Sequence, residues 1–168
     1  LFDSAQFNNA RILIEEKIAL KKFQNFLPLE KVEPDLSLKE GSTPLLRLSR
    51  LEKSLNQSGL TAKLEAANPT LSFKDRGTAV VIQKLAEMKV EKIGTVSTGN
   101  MASSTAAYAA RNGLQAFLLV KKGTSAGALI SSAVFEPIII EIEGDYGQLF
   151  YKSYQLGKRY GIYFANSV

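Results

Sequence analysis

Residues 93–120 read IGTVSTGNMASSTAAYAARNGLQAFLLV, and their pattern decides the fold. A short β-branched run, 93–97, opens the stretch. A run of helix-forming residues follows and stops at Gly113, since glycine accepts the left-handed conformation that ends a helix. A second apolar run, 115–120, closes it. The pattern predicts a strand over 93–97, a helix over 99–112 and a strand over 115–120. Strands joined through a helix lie parallel in one sheet, so the stretch is one β-α-β unit.

The alternation continues on both sides. Downstream it predicts a helix over 124–134, weakened by Gly127, then a β-branched strand over 137–142. A helix over 145–160 stops at Gly161, and a last strand covers 162–165. Upstream, Ala79, Ile82, Leu85 and Ala86 recur at helical spacing in a helix over 73–89. Strands are expected over 61–66 and over 43–48, with Pro44 near the start of the latter, where a missing N–H is tolerated. A short helix over 51–57 lies between them. Residues 10–26 carry one apolar stripe, as an amphipathic helix does. Residues 27–42 hold two prolines and read as an extended connection. The expected architecture is a three-layer α/β fold, its mainly parallel sheet covered by helices on both faces. An N-terminal region, 1–42, precedes the α/β region, 43–168.

Composition narrows the function. The 168 residues, 45% of them apolar, suffice for one packed domain. A net charge of +5, with lysines and glutamates interspersed, offers no basic stripe for nucleic acid. The chain has no cysteine and no histidine, so disulfides, cysteine metal sites and His- or Cys-based catalytic triads are excluded; no metal is expected. No apolar run reaches membrane-spanning length and the first residues lack a signal-peptide plan. A soluble, cytoplasmic protein is expected.

Two strings carry chemistry. The first is Asn68-Pro69-Thr70-Leu71-Ser72-Phe73-Lys74-Asp75-Arg76-Gly77. Pro69 ends an extended segment, and Ser72 with Asp75 three residues on marks a helix start. Lys74 then falls in the first turn, where the helix dipole disfavours a cation. Arg76 adds to that effect and Asp75 opposes it. A solvated surface lysine is the plain alternative. The second string, Ser97-Thr98-Gly99-Asn100, joins a strand end to a helix start, where open α/β sheets bind ligands. Backbone N–H groups and two hydroxyls converge there on a prospective carboxylate or phosphate; an ordinary helix cap is the alternative. Neither a P-loop nor a dinucleotide fingerprint is present.

The first string resembles the lysine motif of the pyridoxal-phosphate enzymes of the tryptophan-synthase-β class, and within them the threonine synthases. Ser97-Thr98-Gly99-Asn100 followed by Ala106-Ala107-Tyr108-Ala109-Ala110-Arg111 is similar to the same family's asparagine loop and helix. Glu40-Gly41-Ser42-Thr43-Pro44-Leu45 and Glu143-Gly144-Asp145 resemble two further landmarks, and the four occur in the family's order. The resemblance runs from about residue 38 to residue 168 and implies the N-terminal part of the family fold. It implies that Lys74 carries pyridoxal 5'-phosphate as a Schiff base and moves protons. It also implies that Asn100 hydrogen-bonds the cofactor ring beside Phe73. Ser97, Thr98 and Gly99 would hold the carboxylate of an amino-acid substrate. Asn166 and Ser167 would help to bind its phosphate. The activity implied is a lyase reaction of threonine biosynthesis, O-phosphohomoserine to threonine and phosphate, in an enzyme that is commonly a homodimer.

Three departures qualify that implication. Leu71 stands where the family usually has glycine, and a negative φ is expected of so bulky a residue. Met101 stands where a hydroxyl residue is usual near the substrate phosphate. The family's glycine-rich loop for the cofactor phosphate lies beyond residue 168. Two alternatives therefore stay open. One is a related enzyme, of cysteate synthase or threonine dehydratase type. The other is a non-catalytic ligand-binding or interaction module.

Overall fold

A computed structural model describes residues 19–166. The elements in chain order are α1 (Ala19–Lys22), β1 (Leu45–Arg47), α2 (Ser49–Leu55), β2 (Thr61–Lys63), α3 (Lys74–Glu87), β3 (Lys92–Val96), α4 (Asn100–Arg111), β4 (Gln115–Lys121), α5 (Ala126–Ala133), β5 (Ile138–Ile142), α6 (Tyr146–Tyr160) and β6 (Tyr163–Phe164). Four strands form one parallel sheet in the order β5-β4-β3-β6. The β3-α4-β4 unit is parallel, with Thr95 opposite Leu118. β1 and β2 form a separate antiparallel ribbon.

Side-chain alternation along the central strands makes the layers. Ile93 and Ala116 share a buried cluster with Tyr108 and Ala109 of α4 and with Ala79, Ile82 and Leu85 of α3. Leu118 and Val120 meet Ala102 of α4 and Leu129 of α5. On the opposite face, Val96 and Leu119 pack on Leu149 of α6. Helices thus cover both faces of the sheet, as the strand-helix alternation predicts. α6 starts with a reciprocal capping box. Asp145 accepts from the Gln148 N–H, and the Gln148 side chain accepts from the Asp145 N–H.

β3 and β6 meet at a close approach. A Cβ on Gly94 would lie 2.5 Å from the Phe164 ring, its register partner. A Cβ on Gly157 of α6 would lie 3.3 Å from the same ring. Two glycines therefore make the bed on which Phe164 sits.

Three local expectations change. The strand over 61–66 ends at Lys63 and gives way to a 3-10 turn, Glu65–Ala67. The Asn68 amide donates to the Glu65 carbonyl and draws the chain out of the ladder. The helix over 51–57 starts earlier, at Ser49, and ends on Asn56 in the left-handed region. The connection over 27–42 is not simply extended, for it contains a 3-10 turn, Pro34–Leu36. It is bound to α3 by a reciprocal Glu33–Gln83 pair and by Glu87, which accepts from the Glu30 N–H. Of the helix expected over 10–26, residues 10–18 lie outside the described residues, and Ala19–Lys22 is helical.

Candidate functional site

Lys74 is the first residue of α3. Its own N–H donates to the Ser72 hydroxyl at 3.2 Å, so Ser72 serves the helix start as its position suggests. Asp75, next in the chain, points inward and is fully buried. It accepts from the Thr70 N–H at 2.7 Å and from the Thr70 hydroxyl at 2.6 Å. The Ser104 hydroxyl of α4 donates to it at 2.6 Å. Leu71, inside this turn, has φ +62°, not the negative value expected. The turn is pinned at Thr70 by Asp75 and at Leu71 by an N–H bond to the Asn68 carbonyl. Such over-determination can hold a side-chain-bearing residue in an unfavourable conformation. The Leu71 side chain, 75% exposed, meets little that would oppose it.

The motifs that lie apart in sequence are joined by buried and part-buried polar contacts. Arg76 makes a bidentate pair with Glu65, both bonds at 2.8 Å, and its second terminal nitrogen also reaches the Thr43 hydroxyl. The guanidinium holds the Glu65 carboxyl down at about 2, with help from Thr43 and Asn68. Asn68, buried, accepts from the Gly41 N–H at 2.9 Å. Glu40, also buried, accepts from the Tyr108 hydroxyl at 2.7 Å. Burial, and then that hydrogen bond, push the Tyr108 hydroxyl well above its usual range. The Glu40–Leu45 string, the lysine motif and the alanine-rich helix are thus one connected construction. Sequence spacing could not reveal these pairings, because each partner lies at least 11 residues from the other.

A cavity of ≈ 510 Å³ opens beside the start of α3, lined by Phe73, Lys74, Met101, Phe164 and Asn166 among others. The Lys74 amine lies 4.8 Å from the Phe73 ring centroid. Lys74, Phe73 and Asn166, predicted from motifs far apart in the chain, therefore share one space. Ser97, Thr98, Gly99 and Asn100 do not line that cavity. They form the turn between β3 and α4 and, Ser97 aside, are exposed. Met101, the next residue, does line it. Ser97 accepts from the Gly99 N–H at 3.2 Å. Val81, Tyr163 and Phe164, which the motif reading missed, supply cavity wall. The signal for the last two is their place on the final strand, directly before Asn166.

Asn166 sits differently from its expected role. Its carbonyl oxygen accepts from the Val96 N–H at 2.9 Å, and its amide donates to the Ser153 hydroxyl at 2.9 Å. The side chain extends the β3–β6 pairing by one hydrogen bond, directly before Ser97. Ser167 lies outside the described residues. Among the described residues no cluster of acidic groups could hold a metal ion, and no helix is long and apolar enough to cross a membrane.

A primary amine at a cavity wall, with aromatic and aliphatic neighbours, suits an aromatic aldehyde. The lining offers one guanidinium, Arg76, already engaged by Glu65 and Thr43. The donor set therefore fits the aldehyde and ring of a pyridoxal group better than its phosphate.

Comparison with known proteins agrees with this chemistry. Residues 36–168 match the family model described as pyridoxal-phosphate dependent enzyme. The chain is 38% identical over 157 residues to a threonine synthase of Methanocaldococcus jannaschii, covering 93% of this chain and 39% of that protein. It is 42% identical over 128 residues to a threonine synthase of Bacillus sp., covering 76% of this chain and 36% of that protein. Among solved structures, the processed form of threonine deaminase isoform 2 from Solanum lycopersicum superposes with a TM-score of 0.69 at 17% identity, covering 97% of this chain and 40% of that one. Maize serine racemase gives 0.65 at 23% identity, covering 73% and 37%. These structures share the fold, and the chain spans less than half the length of the curated relatives it matches.

Proposed function

The chain belongs to the pyridoxal-phosphate-dependent enzyme family, and on that premise we propose that the complete protein is a lyase of threonine synthase type. The observation that carries this reading is the Lys74 amine on the wall of a cavity shared with Phe73 and Asn166. In this reading Lys74 anchors the cofactor and moves a proton at the substrate carbon beside the amino group. The cofactor, when bound, supplies the electron sink. Phe73 and Phe164, on the wall of the same cavity, would help to hold the ring. Asn100, at the start of α4, would hydrogen-bond the cofactor ring. The Ser97 and Thr98 hydroxyls, with the N-terminal N–H groups of α4, orient the substrate carboxylate. Asn166 holds the strand end that delivers this turn, and Ser167, next in the chain, would help to bind the substrate phosphate. O-phosphohomoserine is the substrate, threonine and phosphate are the products, and the setting is cytoplasmic biosynthesis by a homodimer.

Met101 favours a second reading. A thioether on the cavity wall offers no hydroxyl to a substrate phosphate, which suits an amino acid with another leaving group. One experiment separates the two. The complete protein is loaded with pyridoxal phosphate and given O-phosphohomoserine, O-phosphoserine or threonine in turn. Threonine with stoichiometric phosphate from the first alone supports threonine synthase. Turnover of another substrate in its place supports the second reading. Loss of turnover in Lys74→Ala is expected in either case, and a fully active Lys74→Ala would defeat both.

A further inference from the structure

We propose that Asp75 is a positioning residue that sets the direction of the Lys74 amine by holding the preceding turn closed. This rests on the reading of Lys74 as the reactive amine. Asp75 and Lys74 are adjacent on α3, so their side chains leave the helix about 100° apart. Fixing one fixes the heading of the other. Asp75 is fixed from two sides. Thr70 gives it two hydrogen bonds across the turn, and Ser104 gives it a third from α4. The Thr78 hydroxyl lies 2.8 Å from that of Ser104 and donates to the Lys74 carbonyl at 3.1 Å. The carboxyl thus ties the turn to the helix and the helix to its neighbour. Leu71 shows the force of the clamp. It holds φ +62° with its side chain 75% exposed, so burial of that side chain cannot offset the strain. The closed ends of the turn impose it.

The test uses two readouts on the complete protein. The first is the gain in the folding equilibrium constant from Leu71→Gly, measured in the wild-type and Asp75→Asn backgrounds. Asparagine offers one accepting oxygen in place of two, so the Thr70 N–H and the Thr70 and Ser104 hydroxyls cannot all donate to it as they do to the carboxylate. The gain is expected to be several-fold in the wild type, from relief of left-handed strain, and to vanish once the clamp is open. An equal gain in both backgrounds overturns the proposal. The second readout is labelling by pyridoxal phosphate and borohydride, mapped by peptide and expressed as Lys74 relative to exposed Lys158. Asp75→Asn should lower that ratio on the order of ten- to a hundredfold under conditions where the protein stays folded. A merely structural role would leave the ratio unchanged, and that result also overturns the proposal. If Asp75→Asn does not fold, Thr70→Ala, which removes only the hydroxyl bond, replaces it in both measurements. A wild-type Lys74 that never labels would sink the functional reading, while the stability comparison, which needs no cofactor, still decides the clamp.

Discussion

Leu71 and Glu65 carry the residue-scale consequences. A leucine in the left-handed region costs roughly 1–2 kcal/mol, and glycine there returns part of that gain through its more flexible unfolded state. Leu71→Gly should therefore raise stability by about 0.5–1 kcal/mol, read from denaturant midpoints. A drop in stability would show that the exposed leucine makes contacts worth more than its strain. Glu65 has its folded-state value held at about 2 against an ordinary 4.5, chiefly by Arg76. The sign follows from linkage. The contribution of the pair is fully present above about 4.5 and is lost as the pH falls toward 2. Arg76→Gln should flatten the acid limb of stability between those values, and an unchanged limb would show that other carboxyl groups govern it. Lys74 at a helix start was legible in the sequence, from Ser72 and the run after it. The sign of the Leu71 φ was not, because the Asp75–Thr70 clamp that sets it joins groups whose orientation no spacing rule reports.

At the scale of elements, the parallel sheet was legible because β3, β4 and β5 carry β-branched or apolar runs separated by helical patterns, the one over 124–134 weakened by Gly127. The ends of elements were less so. β2 is shortened where the Asn68 side-chain amide takes the Glu65 carbonyl and also donates to the Glu65 carboxylate. β6 spans two residues, yet it fixes the site wall through Phe164 and the Asn166 bond to Val96. Its seat depends on Gly94. A methyl group there would lie 2.5 Å from the ring, too close without displacing β6. Gly94→Ala should cost about 1–3 kcal/mol, as overpacking of a formed core does. Gly94→Ala combined with Phe164→Leu should recover part of that loss, because the smaller side chain leaves room for the methyl. A double variant no more stable than the sum of the singles would show that the two residues do not press on each other.

For the whole molecule, the question is what the described half of the site can hold by itself. Four motifs in order identified the family, and the structure joins three of them: Glu40 meets Tyr108, Arg76 meets Glu65 and Thr43, and Asp75 meets Ser104. Lys74 and the aromatic walls share the cavity, and the turn before α4 lies outside its lining. A phosphate with about two negative charges is usually held by several N–H donors. The Arg76 guanidinium on this cavity is already engaged by Glu65 and Thr43. A lysine–aldehyde imine without such a grip is open to water. The 168-residue segment expressed alone should therefore label weakly with pyridoxal phosphate and borohydride, spread over Lys74 and surface lysines. The protein at the length of its relatives should label selectively at Lys74 and show a visible imine absorbance that Lys74→Ala removes. Free phosphate gives a control: it should compete with labelling of the complete protein and leave the segment unaffected. Tight, stoichiometric labelling of Lys74 in the segment would show that these residues bind the cofactor phosphate without further chain, and would move the search for its donors to Ser97, Thr98 and the N-terminus of α4.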